Sequence, residues 1–328
     1  MEFEQKTKKS TWWVWLIVVV VIVATGIYIY INIPVKKTSQ DNEASIQTRT
    51  ASETWTRSQD IVLKNTTSSD THKLTGGTFR MYYMNNGKIV YADSSDTEVF
   101  TDPVPTGISE NEGTFISNPA VLMVSEGNWI MIYEQQPIQP KGLGGKTPPG
   151  PSTQRNLYLA TSIDGKSFTK SGLAIDSSKD DEYFASVPDL VLLPDGQIRM
   201  YYVSGGEAVA SALSPDGKTF TRENGYRLEN SAVDPDVLIK DGKWIMYYSN
   251  LNPQKNGLYK AYSSDGLNWT EIEGQVVSKT GDNAIVDPDV VETANNEFVM
   301  FFGESSGGSS TGGDQINLYR ATYSGNIF

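Results

Sequence analysis

Residues 230–250 read NSAVDPDVLIKDGKWIMYYSN, and residues 283–305 repeat the same order as NAIVDPDVVETANNEFVMFFGES. Each copy has an Asp-Pro-Asp-Val phrase, a short polar turn and a run of apolar and aromatic residues. Such runs, bounded by Asn, Asp and Gly, predict two antiparallel strands joined by a hairpin. A phrase that recurs along the chain also predicts a repeat architecture, in which each copy is one structural unit.

The second strand of this unit occurs five times. Its copies read RMYY, IMIY, RMYY, IMYY and VMFF, at residues 80–83, 130–133, 199–202, 245–248 and 299–302. Each copy is followed by another predicted strand and, in the first four units, by a further short one. No long amphipathic helical pattern appears after residue 55. Five units of four strands predict an all-β fold, a five-bladed β-propeller over residues 55–328.

The two ends of the predicted propeller complement each other. The fifth unit stops one strand short, at LYRATYSGNIF (residues 318–328). The missing phrase stands at the start, where TWTRSQDIVLKN (residues 54–65) resembles TFTRENGYRLEN (residues 219–230). We therefore predict that an N-terminal strand completes the last blade, so that no sheet edge is left open.

The N-terminal region contains an uncharged apolar run, WWVWLIVVVVIVATGIYIYI, at residues 12–31. Its 20 residues suit a helix that crosses a bilayer, and aromatic residues stand at both ends. We predict an uncleaved transmembrane anchor, with a cytoplasmic N-terminus at residues 1–11 and a flexible stalk at residues 32–54. A cleaved signal peptide is the alternative reading.

The charge of the chain bears on its location and partners. The net charge is −12, and the first 40 residues contribute +3 to it, so the remainder carries −15. An acidic, Ser/Thr/Asn-rich domain predicts a single-pass protein of the cell membrane with its propeller outside the cytoplasm. The acidity also argues against a nucleic-acid partner. The membrane, through the N-terminal helix, and carbohydrate are the predicted partners.

The composition restricts the chemistry. The chain has no cysteine and a single histidine, His72. These counts exclude disulfides and thiolate sites, and they argue against a His-rich metal site or a histidine-based triad. Hydrolytic chemistry in this chain would therefore depend on carboxylates.

The Asp-Pro-Asp-Val phrase opens the innermost strand of blades four and five, which places it at the rim of the central channel. Its counterparts in blades one to three are SSDTHKL, NPAVLM and VPDLVL, at residues 68–74, 118–123 and 187–192. Its second acidic position is filled in four copies, by Asp70, Asp189, Asp236 and Asp289, and Ala120 is the exception. A residue repeated around a ring indicates a scaffold role, such as accepting a bond from an unpaired N–H of the next blade. The first position varies, and its residues are Ser68, Asn118, Val187, Asp234 and Asp287.

This variation makes Asp234 and Asp287 the candidates for chemistry, with turn-capping before proline as the alternative. The opposite face of the propeller is predicted to carry three tight turns, SIDGKSF, SPDGKTF and SSDGLNW, at residues 162–168, 214–220 and 263–269. They resemble the Asp-box of sialidases, so Asp164, Asp216 and Asp265 are predicted to be structural.

Across residues 55–328 the chain resembles the five-bladed propeller glycosidases, the superfamily of glycoside hydrolase families 43 and 32. The resemblance rests on the blade count, the Asp-Pro openings, the DGKWIMYYS hairpin and the AYSSDGLNW strand. It implies a glycoside hydrolase acting on oligo- or polysaccharide, with an Asp base, a second Asp that tunes it and a Glu acid. Asp234 and Asp287 match the Asp-Pro openings.

The chain departs from that pattern because no Glu-Gly-Pro-like phrase supplies the acid. Glu134 and Glu304, each just after a second strand, are the candidate substitutes, and each can also be read as a solvated loop carboxylate. The predicted substrate-binding residues are Asn118, Asp70, His72, Asp189, Asp236 and Asp289. The alternative function is a noncatalytic propeller that binds glycan or protein at the cell surface. No cofactor is predicted, although the resemblance allows calcium in the acidic channel.

Overall fold

The computed structural model describes residues 53–138, 148–281, 283–305 and 316–328. In this part of the chain, the strands form five four-stranded antiparallel sheets, which are the five blades of the predicted propeller. The predicted membrane anchor and most of the predicted stalk lie outside the described residues. Among the residues that are described, no helix is long and apolar enough to cross a membrane.

The blades follow one another along the chain. Blade 1 comprises β2 (Asp70–Lys73), β3 (Phe79–Asn85), β4 (Lys88–Ser94) and β5 (Val104–Ser109). Blade 2 comprises β6 (Thr114–Ser125), β7 (Asn128–Pro137), β8 (Asn156–Ser162) and β9 (Thr169–Ile175). A short helix, α1 (Ser177–Asp180), precedes blade 3, which comprises β10 (Ala185–Leu192), β11 (Ile198–Ser204), β12 (Ala208–Ser214) and β13 (Thr221–Arg222).

Blade 4 comprises β14 (Ala232–Lys240), β15 (Lys243–Asn250), β16 (Gly257–Ser263) and β17 (Thr270–Val277). Blade 5 comprises β18 (Ile285–Ala294), β19 (Glu297–Ser305), β20 (Ile316–Ser324) and the N-terminal strand β1 (Thr56–Arg57). Thr56 pairs with Thr322 and Arg57 with Ala321. The prediction that the N-terminal strand completes the last blade is therefore confirmed.

A buried ion pair holds the start of the propeller in place. Glu53 is 5% exposed and pairs with Lys260 of blade 4, which is 3% exposed. Tyr247 also donates its hydroxyl to Glu53 at 3.2 Å. Glu53 falls within the segment predicted as a flexible stalk, and in the structure it packs against strands of blade 4.

Five apolar clusters form the core, one between each pair of neighbouring blades. The second strand of each blade contributes to two of them, because successive side chains of a strand point to opposite faces. Tyr201 packs towards blade 4 and Tyr202 towards blade 2, for example. Tyr202, Tyr248 and Phe302 are all fully buried, so these aromatic residues pack between blades and do not face a ligand.

The face of the propeller opposite the channel mouth carries the Asp-box turns. In each turn the aspartate accepts backbone N–H groups two and three residues ahead, as Asp265 does from Leu267 and Asn268, both at 2.8 Å. A fourth turn of this kind was not predicted. Its Asp96 accepts the N–H groups of the second and third residues ahead at 2.9 and 3.1 Å. The position that glycine holds elsewhere is occupied by Thr97, at φ 65°.

These turns also hold neighbouring blades together. Tyr201 of blade 3 donates its hydroxyl to the Gly266 carbonyl of blade 4 at 2.7 Å, and Arg199 donates to the Asp265 carbonyl at 3.1 Å. Arg80 and Tyr82 of blade 1 reach the Gly165 carbonyl of blade 2 in the same way. The Asp-box face is therefore a structural face, as its sequence predicts.

Candidate functional site

A pocket occupies the mouth of the central channel, where the first strands of all five blades begin. These strands, β2, β6, β10, β14 and β18, contact their neighbours around the ring. All thirteen lining residues come from the repeated phrases: Ser68, Ser69, Asp70, Asn118, Pro119, Val187, Pro188, Asp189, Asp234, Pro235, Asp236, Asp287 and Pro288. None of the thirteen is a glutamate or an aromatic residue.

The first residue of each phrase has a left-handed backbone, with φ between 42° and 53°. We call these residues the outer ring: Ser68, Asn118, Val187, Asp234 and Asp287. In blades 2 to 5, the pairing of the first and second strands shifts at this residue and the proline after it, which forms a β-bulge. Proline suits the bulge because it has no N–H to offer the ladder, and a bulge re-aims the neighbouring side chain.

The second acidic position forms an inner ring of four carboxylates, each of which accepts a backbone N–H from the next blade around the ring. The pairs are Asp70 with Val121, Asp189 with Val237 (2.9 Å), Asp236 with Val290 (3.2 Å) and Asp289 with Thr71 (3.1 Å). This is the inter-blade bond that the repeated position predicts. Blade 2 has Ala120 at this position and offers no carboxylate to the Leu190 N–H of blade 3. Asp189, also in blade 3, bonds that N–H instead.

Burial and crowding shift the pKa values of the inner ring upwards. Burial, followed by the charge of Asp70, raises the pKa of Asp189 to about 7. The same two causes raise the pKa of Asp289 to about 6. Burial and the charges of the other three members raise the pKa of Asp236 well above its usual value. Like charges in a low-dielectric site favour protonation, so the ring takes up protons near neutral pH.

His72 lies beside this ring. Its Nε2 is 3.0 Å from Asp70 Oδ2, so the two side chains point the same way, as their spacing suggests. Burial lowers the pKa of His72, but the charge of Asp70, its hydrogen bond, and the charges of Asp289 and Asp189 together raise it above its usual value. The imidazolium form therefore offsets part of the negative charge of the inner ring.

The two outer-ring carboxyls, Asp234 and Asp287, lie in neighbouring blades, close enough to shift each other's pKa values. The hydroxyls of Thr67 and Ser68 both donate to Asp287 Oδ2 at 2.7 Å. The Asp287 N–H lies 3.1 Å from Ser249 Oγ and 3.4 Å from Asp234 Oδ2. Only 7% of Asp234 and 9% of Asp287 is exposed, and both border the pocket.

Each carboxyl of this pair influences the pKa of the other. Burial and the charge of Asp287 raise the pKa of Asp234 well above its usual value. Burial also raises the pKa of Asp287, but the hydrogen bonds from Ser68 and Thr67 oppose that shift. Two carboxyls in contact cannot both ionise readily, and the one with more donors keeps the charge. Asp234 is therefore the more readily protonated of the two carboxyls.

Glu134, a candidate acid, is fully buried between blades 2 and 3. It accepts the Asn118 amide at 2.8 Å and the Ser186 hydroxyl, and Arg155 donates to it at 3.3 Å. Its carboxylate fixes the side chain of Asn118, which does line the pocket. Glu134 itself is not among the lining residues.

Glu304, the other candidate acid, is 3% exposed and forms an ion pair with Arg57 of the closing strand. Thr280 donates its N–H to the same carboxylate at 2.7 Å. The Arg57 guanidinium in turn lies over the rings of Phe302 and Tyr319, at 5.2 and 4.9 Å from their centroids. This carboxylate serves the closure of blade 5 and does not line the pocket.

The structure brings together Asp70, Asn118, Asp189, Asp234, Asp236 and Asp287 as pocket-lining residues. Asp289, the fourth member of the inner ring, and His72, which contacts Asp70, do not line the pocket. Sequence reasoning missed Thr67, Ser68 and Ser249 as partners of the Asp234–Asp287 pair. One signal was available, because Ser249 takes a position that Met84 and Val203 fill in blades 1 and 3. In the described ranges, no group of three or more His, Asp or Glu side chains is arranged to hold a metal ion.

The fold is similar to that of several solved glycoside hydrolases. An α-L-arabinofuranosidase from Lactobacillus brevis matches with a TM-score of 0.63 and 11% identity, covering 81% of this chain and 92% of its own. A family 117 glycoside hydrolase from Zobellia galactanivorans matches with a TM-score of 0.63 and 12% identity, covering 83% and 90%. A thermostable family 43 glycoside hydrolase matches with a TM-score of 0.60 and 15% identity, covering 83% and 96%.

A scan of protein-family models finds none that matches the chain, and a search of curated proteins finds no match either. The likeness to the solved structures therefore establishes a glycoside hydrolase-like propeller fold. Because one fold supports many functions, activity has to be argued from the site itself.

Proposed function

We propose that this chain binds carbohydrate at the channel mouth and does not cleave it. The observation that carries the proposal is that no glutamate lines the pocket of this glycosidase-like propeller. Glycoside hydrolysis requires two carboxyl groups that flank the scissile bond, about 5–5.5 Å or 6.5–9.5 Å apart. Asp234 and Asp287 adjoin each other, as a base and the aspartate that tunes it would, and no glutamate stands across the pocket from them as the acid.

The positions of the two candidate acids, Glu134 and Glu304, support the same conclusion. Glu134 and Glu304 are held in ion pairs with Arg155 and Arg57, and neither lines the pocket. An acid that protonates a leaving group has to reach it within hydrogen-bonding distance. The two loops whose middle parts lie outside the described residues, 139–147 and 306–315, contain no glutamate in their sequence.

The same groups suit the recognition of sugar hydroxyls. The Asp287 carboxylate accepts hydrogen bonds, the Asp234 carboxyl accepts them and can also donate when it is protonated, and the fixed Asn118 amide leaves its oxygen available as an acceptor. A few polar groups held in place by buried partners are typical of a small-molecule site. Hydrogen bonds to a charged group are also the stronger ones.

The test combines a glycan array with a panel of chromogenic glycosides, using the full-length protein in mild detergent. The proposal predicts binding of at least one glycan and no turnover of any glycoside. Asp234→Asn and Asp287→Asn should weaken that binding, whereas Asp216→Asn, on the Asp-box face, should not. Failure to bind any glycan, at a normal melting temperature, would contradict the proposal.

Hydrolysis is the second candidate, because the Asp234–Asp287 pair places two adjoining carboxyls in the pocket. For that function, Asp287 would be the base and Asp234 the carboxyl that tunes it, with an acid supplied by the substrate or by a rearranged side chain. Turnover of any glycoside that is lost in Asp287→Asn, at an unchanged melting temperature, would favour this candidate over binding alone.

We further propose that residues 12–31 anchor the chain in the cell membrane, with the propeller outside the cytoplasm. Support comes from the length of the apolar run and from the acidity of the remaining chain. Protease treatment of intact cells tests this, with a tag at each end of the chain. The C-terminal tag should be digested and the N-terminal tag protected, and the reverse pattern would refute the proposed orientation.

A further inference from the structure

One member of the outer ring differs in character from the other four. Ser68, Asn118, Asp234 and Asp287 are polar, whereas blade 3 places Val187 at the same position. Val187 and Pro188 line the pocket at the outer ring, and Asp189 of the same blade lines it at the inner ring. The outer ring therefore has an acidic side, formed by Asp234 and Asp287, and one apolar member, Val187 of blade 3.

The backbone at Val187 is unfavourable for valine. Its φ is 42°, in the left-handed region, where a β-branched residue is a genuine outlier. Asn118 takes the corresponding bulge position in blade 2 at φ 50°, and Asn and Asp tolerate this conformation better than other residues do. The fold therefore accommodates a polar residue here at lower cost. Strain that a scaffold maintains is most often found at ligand sites.

The order of the blades around the ring determines which residues lie opposite Val187. Blade 3 neighbours blades 2 and 4, so it lies across the mouth from blades 5 and 1. These blades carry Asp287 and the hydroxyls of Thr67 and Ser68 that donate to it. A sugar with one polar edge and one apolar edge would satisfy both sides, its hydroxyls towards Asp287 and its C–H groups or methyl towards Val187. The five pocket carboxyls also disfavour an anionic sugar.

We propose that Val187 is a specificity-determining residue that selects a neutral sugar with an apolar edge, as in a 6-deoxyhexose. This inference rests on the proposed carbohydrate binding and deepens it, because it assigns the substrate class. It also explains why a strained valine stands where asparagine would fit. An apolar wall discriminates between ligands that differ by one small group by about 10- to 200-fold.

The test uses sugar pairs that differ only in the 6-hydroxyl, L-fucose with L-galactose and L-rhamnose with L-mannose, as glycosides on an array and in calorimetry. The full-length protein should prefer the deoxy member of a pair at least 10-fold. Val187→Asn should remove that preference and raise the melting temperature by roughly 2–4 °C, because it relieves the backbone strain. Val187→Ala should lower the preference without that gain in melting temperature.

The outcomes separate the two proposals. If the wild-type protein binds no glycan, the proposed function fails, and this inference fails with it. If it binds sugars and Asp287→Asn weakens the binding, but Val187→Asn keeps the same deoxy preference, only the role of Val187 is refuted. Tighter binding of an anionic sugar than of any neutral one would also overturn the assigned class.

Discussion

Two sets of aspartates on opposite faces of this propeller accept backbone N–H groups, and their pKa values move in opposite directions. In the Asp-box turns, backbone hydrogen bonds lower the pKa values of Asp96, Asp164, Asp216 and Asp265. In the inner ring, burial raises the pKa values of Asp189, Asp236 and Asp289, although they accept similar bonds.

The difference comes from solvent and from neighbours. An Asp-box carboxylate is exposed to water and bonds within its own turn, so its hydrogen bonds outweigh the small effect of desolvation. An inner-ring carboxylate is buried or half-buried beside others of the same sign, and desolvation and repulsion outweigh the hydrogen bond. One residue type thus stabilises a local turn on one face and builds a charged channel on the other.

The largest effect should follow from Asp289→Ala. Its carboxylate accepts the Thr71 N–H and the hydroxyls of Thr71 and Ser69, so the substitution leaves three inter-blade donors without this partner. We expect a loss of about 3 kcal/mol or more in the free energy of unfolding, measured by urea denaturation. Asp289→Asn keeps an acceptor and should lose much less. Equal losses in the two variants would show that the bonds contribute little.

The Asp-box face should respond most strongly to Gly266→Ala. A Cβ there would lie 2.7 Å from the Tyr201 hydroxyl, the Arg199 guanidinium and the Trp244 ring, all in neighbouring strands. Gly242 is the matched control, because it has φ 72° against 71° and nothing within 4 Å. Gly242→Ala should cost about 1 kcal/mol and Gly266→Ala about 2 kcal/mol more. Equal melting temperatures would contradict the blade contact.

Asp236→Asn should stabilise the protein at alkaline pH. The pKa of Asp236 is raised in the folded state, so its ionised form costs stability above that pKa and nothing below the unfolded pKa. We expect a gain of about 1–2 kcal/mol at pH 8, the scale of one removed repulsion at an effective dielectric constant near 20. At pH 4 the variant and the wild type should unfold alike. A gain that is the same at both pH values would refute this.

Asp265→Asn should give the smallest effect, with the opposite dependence on pH. The pKa of Asp265 is lowered, first by its bond from Asn268, so its charge adds stability above the unfolded pKa. That stability is lost as the pH falls through the folded pKa. We expect a loss below about 0.5 kcal/mol at pH 7, because solvent screens an exposed charge. Thermal melts at pH 7 and pH 3 test this expectation. A larger loss of stability at pH 3 than at pH 7 would contradict it.

Three features could be predicted from the sequence: the blade count, the closure by the N-terminal strand and the inter-blade role of the second aspartate. They follow from repetition, since each blade has to meet the next in the same way. The Asp-box of blade 1 was not predicted, because Thr97 takes the place of its glycine. The hydrogen bonds of Asp96 hold this turn without a glycine. Glu53 escaped because its partner Lys260 lies 207 positions away.

The site was less predictable than the fold. Sequence placed Asp234 and Asp287 at the rim, but their direct contact depends on two β-bulges whose left-handed residues no local propensity specifies. The buried ion pairs of Glu134 and Glu304 depend on Arg155 and Arg57, which come from other strands or loops. Side-chain pairing across blades is a property of the closed ring, so the sequence left both glutamates as candidate acids.

The most direct test of carbohydrate binding at the channel mouth is a calorimetric titration of the best array ligand. Wild type, Asp287→Ala and Asp164→Ala would be compared at pH 7, with the ligand analysed for cleavage afterwards. We expect an intact ligand and unchanged affinity in Asp164→Ala. Asp287→Ala should lose at least tenfold in affinity, the scale of a hydrogen bond to a charged group. Equal affinity in all three proteins, or a cleaved ligand, would contradict it.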